Sequence, residues 1–150
     1  MEEKLELTLS HLPRDMSWGL VQWLLDRGAD EFTLACVSGR SEDAFFCRQV
    51  DQALSPYVVP SEPNTAELRK PSAGDRPRWR FNRRSLGVLK TFLPDGVLTD
   101  RQGSSGGWLE DLTIYQGGQP RLASNTHEHG ATLTLTDSEY QELRELRLVE

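Results

Sequence analysis

The stretch WLEDLTIYQGGQPRLASNT, residues 108–126, decides the fold class. Two strand-like runs, 108–115 and 121–126, flank Gln116, Gly117, Gly118 and Gln119. Paired glycines accept the positive φ angles of a type I′ turn, so the stretch predicts an antiparallel hairpin. Downstream, Ala131, Leu133 and Leu135 alternate with threonines, which adds a further strand. Thr136 and Glu139 then have the spacing of a capping box and open a final helix reaching about Leu146. Its apolar positions, Tyr140, Leu143 and Leu146, form a narrow stripe suited to lying on a sheet.

Working back from the hairpin, Gly103, Ser104, Ser105, Gly106 and Gly107 interrupt the pattern, and Pro94, Asp95 and Gly96 signal a tight turn. Residues 86–93 read as a long apolar strand, and Trp79 and Phe81 alternate with arginines as another. The N-terminal third reads differently. Leu5, Leu7 and Leu9 alternate with Glu6, Thr8 and Ser10, the period of a half-buried strand. After Pro13, either Asp15 or Ser17 caps a helix running to about Arg27, with Trp18, Val21, Leu24 and Leu25 as its stripe and Gly28 as its stop. Residues 32–37 form an almost wholly apolar strand. A second helix, capped by Ser41 and carrying Phe46, Val50 and Leu54 on one face, runs to Pro56.

The fold class expected is α+β: an N-terminal β-α-β-α portion packed with a mainly antiparallel C-terminal sheet and a terminal helix. With 150 residues the chain suffices for one domain, with a long loop rich in proline, serine and glycine at about 58–78. Apolar residues make up 37% and charged residues 27%, which excludes a disordered chain. No run approaches the roughly 20 apolar residues of a membrane span, and the acidic start, Met1, Glu2 and Glu3, does not resemble a signal peptide. Cys36 and Cys47 sit in apolar settings at a spacing that fits no common zinc or redox pair, so both are expected as buried reduced thiols. A cytoplasmic protein is expected, with no membrane association.

The net charge of −6 conceals a division. Residues 69–90 hold eight basic side chains against one acidic, Asp75, while the rest of the chain carries a net −13. Arg76, Arg78, Arg80, Arg83 and Arg84, interleaved with Trp79 and Phe81, are candidates for contact with phosphates or with an acidic surface. Trp18 and Trp23 lie five residues apart on one helix and cannot both sit at the centre of its buried face. One of them is thus a candidate partner anchor, as is Trp108 beside the glycine-rich stretch.

Catalytic constellations are sparse. On a continuous strand, His127 and His129 face one way and could join Asp111 on a metal or act as a general base. That face continues, however, into Ala131, Leu133 and Leu135, which read as packing, and Gly130 could break the strand. The stretch 103–107 leads into a strand instead of a helix and lacks a Gly-Lys-Ser/Thr ending, so it is no phosphate loop. The letters of Gly103 to Gly107 also satisfy Gly-x-Ser-x-Gly, but a nucleophile elbow too leads into a helix, and a strand is expected next.

No catalytic residue, metal ligand or cofactor is assigned. The leading expectation is a non-enzymatic protein-binding role: a small acidic adaptor, inhibitor or immunity-type protein whose acidic body covers a basic surface of another protein. One alternative is a small metal- or His-dependent enzyme centred on His127 and His129. The other is nucleic-acid or nucleotide binding through the basic 76–84 segment, which predicts salt-sensitive affinity. The partner's identity and the oligomeric state stay open at this level.

Overall fold

The computed structural model describes residues 4–9, 14–37, 44–60, 78–93, 108–125 and 130–149. Their strands form one six-stranded antiparallel sheet in the order β1-β6-β5-β4-β2-β3. The strands are β1 (Lys4–Leu9), β2 (Glu31–Val37), β3 (Trp79–Arg80), β4 (Trp108–Gln116), β5 (Gln119–Asn125) and β6 (Gly130–Thr136). The helices are α1 (Arg14–Asp26), α2 (Ala44–Leu54), α3 (Arg83–Phe92) and α4 (Asp137–Glu145), with a 3-10 turn at Ser55–Tyr57 after α2. The expected α+β class is therefore present, with N-terminal β-α-β-α elements, an antiparallel C-terminal sheet and a terminal helix. Because four antiparallel steps separate β1 from β2, the two run in the same direction with three strands between them. The first βαβ segment is thus a wide crossover between strands that are not neighbours.

Alternation along the strands separates the two faces. Phe32, Leu34, Leu112, Ile114, Leu122, Leu133 and Leu135 are buried on the helix side together with Leu20, Val21 and Leu24 of α1, Val50 and Leu54 of α2, Leu86 and Leu89 of α3, and Leu143 of α4. Thr33, Thr113, Ala123, Thr132 and Thr134, on the opposite face, are only half-buried. The β4–β5 turn has φ of 59° at Gly117 and 82° at Gly118, as the type I′ reading requires.

Two irregularities interrupt the pairing. Between β2 and β4 the register slips at Thr33/Ala35, with Asp111 at φ 56°. The neighbouring Leu112 carbonyl accepts the buried Ser124 hydroxyl at 2.6 Å. Between β4 and β5, Ile114 pairs with Leu122 and Tyr115 with Pro120, which leaves Arg121 as an extra residue. A bulge re-aims the extra side chain. Arg121 here turns toward α1 and α4.

The main departure from the sequence reading is α3. Residues 86–93 were expected as a strand, yet 83–92 form a helix whose Leu86, Leu89 and Leu93 are buried at i, i+3 and i+7. Asn82 is its N-cap: its side-chain oxygen accepts the Arg84 and Ser85 amides, both at 3.0 Å. The Ser85 hydroxyl accepts the Asn82 amide at 2.9 Å and donates to the Arg80 carbonyl at 2.7 Å. The apolar run is continuous enough to suit a strand, and the cap decides otherwise.

Smaller corrections follow. Ser17 is buried inside α1 and does not cap it. Leu146 is 54% exposed; the chain turns past it, and Leu148 and Val149 pack on the core instead. Cys47 is disulfide-bonded, not the reduced thiol expected. The expected Ser41 cap, the Pro94–Gly96 turn, the glycine stretch 103–107 and residues 61–77 of the long loop lie outside the described residues. No described helix is long and apolar enough to cross a membrane.

Candidate functional site

The basic segment folds into two environments. In β3 the alternation expected from sequence places Trp79 and Phe81 inward and the arginines outward. Trp79 stacks on Phe32 with ring centroids 5.4 Å apart, and Phe81 meets the same ring edge-on at 6.1 Å. Both aromatics are buried, so neither offers a face on which a base could stack. Arg78 is also engaged: its guanidinium lies 4.2 Å from the Tyr115 ring centroid and 3.4 Å from the Glu31 carboxylate.

Arg80, Arg83 and Arg84 are exposed. With Asn82, Pro56 and Tyr57 they line an open hollow of about 620 Å³ between the 3-10 turn and the start of α3. Among the described residues no carboxylate pairs with any of the three. Arg83 and Arg84 occupy the first turn of a helix that has no acidic residue there, where the helix dipole disfavours cations. Three like charges therefore sit together without a paired carboxylate among the described residues. The amides of Arg84 and Ser85 are taken up by Asn82, which leaves the guanidinium groups as the donors facing solvent.

Arg121 and Arg27, by contrast, have structural partners. Arg121 donates from Nε to the Thr134 carbonyl at 3.0 Å, from Nη1 to Gln116 Oε1 at 2.6 Å and from Nη2 to Glu139 Oε2 at 2.8 Å. Arg27 pairs with Glu142 of α4 and lies 5.2 Å from the Trp23 ring centroid; Arg121 lies 6.0 Å from the same centroid. Burial alone would raise the Glu139 pKa. The Thr136 amide and the Arg121 guanidinium outweigh it and hold the carboxyl below its ordinary value. Nothing in the sequence singled out this cluster, since its members are scattered and Arg121 reaches it only through the bulge.

Of the other candidates, Trp23 is buried, and its Nε1 has no hydrogen-bond partner. Trp18 is half-buried against the core, with Lys90 Nζ 6.0 Å from its ring centroid. Neither tryptophan of α1 stands out as an exposed anchor. Arg76, His127, His129 and the Trp108 side chain lie outside the described residues. Asp111 belongs to the β4 irregularity, and among the described residues no three His, Cys, Asp or Glu side chains are grouped to hold a metal ion. Of the nominated basic residues, then, Arg80, Arg83 and Arg84 come together at one open face. Comparison of the chain with protein families, with characterised proteins and with solved structures finds no match.

Proposed function

We propose a non-enzymatic protein-binding role, of adaptor, inhibitor or immunity type. The supporting observation is the open face of Arg80, Arg83 and Arg84, three clustered guanidinium groups with no carboxylate partner among the described residues. Arginine is favoured at protein interfaces because its planar fork holds carboxylates in two parallel hydrogen bonds. The fitting partner surface is therefore acidic. The sequence reading had paired the chain's acidic body with a basic partner; the proposal keeps the role and gives the contact the opposite polarity.

Nucleic-acid binding is the second reading, because the same three arginines suit phosphates. The burial of Trp79 and Phe81 removes the stacking platforms that would have favoured it. The proposal includes a cytoplasmic setting, which rests on composition and stands against the bonded Cys47. Recovery of the protein with Cys47 bonded in cells would overturn that part, since the cytoplasm keeps thiols reduced.

The test is capture from a lysate of the protein's own cells on immobilised wild type and on the triple variant R80E/R83E/R84E. A stoichiometric protein held by wild type and lost from the variant supports the role. Nucleic acid released along a steep salt series supports the second reading instead.

A further inference from the structure

The two edges of the sheet are unlike. At one end β3 has only two residues, and Val58 bridges to its Trp79. At the other end β1 pairs with β6 over all six residues, Lys4 with Thr136 through Leu9 with Ala131, without a register shift. The far side of β1 pairs with nothing among the described residues. Exposed edges on monomeric proteins are commonly blunted by proline, charged side chains or bulges; β1 has no proline and no bulge, and its charges are Lys4 at its end and Glu6. The apolar row of the core also runs out here. Ala131, Leu133 and Leu135 of β6 are buried, whereas their partners Leu9 and Leu7 are half-buried and Leu5 is 38% exposed.

We infer that this edge is a self-association site whose occupant is β1 of a second copy, joining two sheets into one across a two-fold axis. The sequence of the strand selects the partner. In antiparallel pairing, opposed residues share a face, so a symmetric register must be centred on a residue for leucines to meet leucines. Centring on Glu6 opposes two Glu6 carboxylates, which is destabilising. Centring on Leu7 places Leu7 against Leu7, Leu5 against Leu9 and Glu6 against Thr8. Every opposed pair is then apolar with apolar, or charged with neutral. The Leu7 register covers the leucines that α4 and β6 leave partly open. This surface is separate from the arginine face, so either can fail without the other.

The experiment is sedimentation equilibrium of the full chain over about 1–200 μM, a range bracketing the micromolar affinities of small interfaces. The expected result is a concentration-dependent rise toward twice the 17.0 kDa of one chain. L5K, which alters an already exposed position, should abolish the rise while keeping the far-ultraviolet circular dichroism of the wild type. The register has its own readout. Under mild oxidation L7C should cross-link to itself between copies beyond the wild-type level, because opposed Cβ atoms lie about 5 Å apart. L9C should not, because its own copies would be about 13 Å apart along the strand. A single-chain mass throughout the range overturns the inference. So does a dimer that survives L5K and leaves L7C uncross-linked.

Discussion

Arg121 and Glu139 meet at 2.8 Å, and the second oxygen of Glu139 accepts the Thr136 amide at 3.0 Å. One carboxylate thus caps α4 and anchors the guanidinium of the residue at the β5 bulge. Arg121 and Glu139 are 14% and 16% exposed, so solvent screens the pair only in part. Arg121→Ala would leave Thr134 O, Gln116 Oε1 and the Glu139 carboxylate short of a donor. A loss of about 2–3 kcal/mol is expected, measured by urea unfolding at pH 7. A loss below about 0.5 kcal/mol would mean that water replaces the guanidinium without penalty.

The same contact sets a pH dependence. The folded pKa of Glu139 is lowered, so its contribution is present above the unfolded value of about 4.3 and is lost as pH falls through the folded value. Urea midpoints measured from pH 6 down to pH 3 should fall for the wild type. In Glu139→Gln the fall should be shallower, with lower stability at pH 6. Parallel curves for the two proteins would remove Glu139 from the account.

Asn82 should matter more than an exposed loop residue ordinarily does. Its side chain accepts two amides of α3, and Asn82→Ala is expected to cost about 0.5–2 kcal/mol. Ser85→Ala removes a fully buried hydroxyl that serves the Asn82 amide and the Arg80 carbonyl, and about 1–3 kcal/mol is expected. Thermal and urea unfolding check both. Asn82→Asp should retain most of the stability, since aspartate caps equally well.

Helices α1 and α4 end alike, and only one has the residue suited to it. After α1, Ala29 N–H reaches Leu24 O and Gly28 N–H reaches Leu25 O, with Gly28 at φ 103°. After α4, Leu148 N–H reaches Leu143 O and Arg147 N–H reaches Arg144 O, with Arg147 at φ 59°. Both are Schellman endings, whose left-handed position favours glycine. A side chain there costs about 1–2 kcal/mol, against about 0.4–1 kcal/mol for the added freedom of an unfolded glycine. Arg147→Gly should therefore gain about 0.5–1 kcal/mol, and Gly28→Ala should lose about 1 kcal/mol or more. Differential scanning calorimetry should show melting temperatures moving in opposite directions.

The hairpin, the terminal capping box and the Gly28 stop were legible because each is written in adjacent residues with one backbone solution. The α3 segment was misread because residues 86–93 are apolar enough to suit a strand. The deciding signal was Asn82 followed three residues later by Ser85, a cap that uses a hydroxyl where glutamate is the usual partner. Arg121 could not be placed from sequence, since a bulge shifts one side chain by a residue and leaves no local mark. The candidate face was legible as charge but not as shape. The alternation that put Arg80 outside also put Trp79 and Phe81 in the core, and that separation only the packing against Phe32 made plain.

The most direct test of the central claim is isothermal titration of the wild-type protein and of R80E/R83E/R84E with the partner recovered by capture, R144E serving as a surface-charge control. The expected result is saturable one-to-one binding by wild type and R144E, weakened at least about 100-fold in the triple variant, which matches loss of two to three charge-assisted contacts. Equal affinity of all three proteins for that partner would contradict the assignment of Arg80, Arg83 and Arg84 as the binding face.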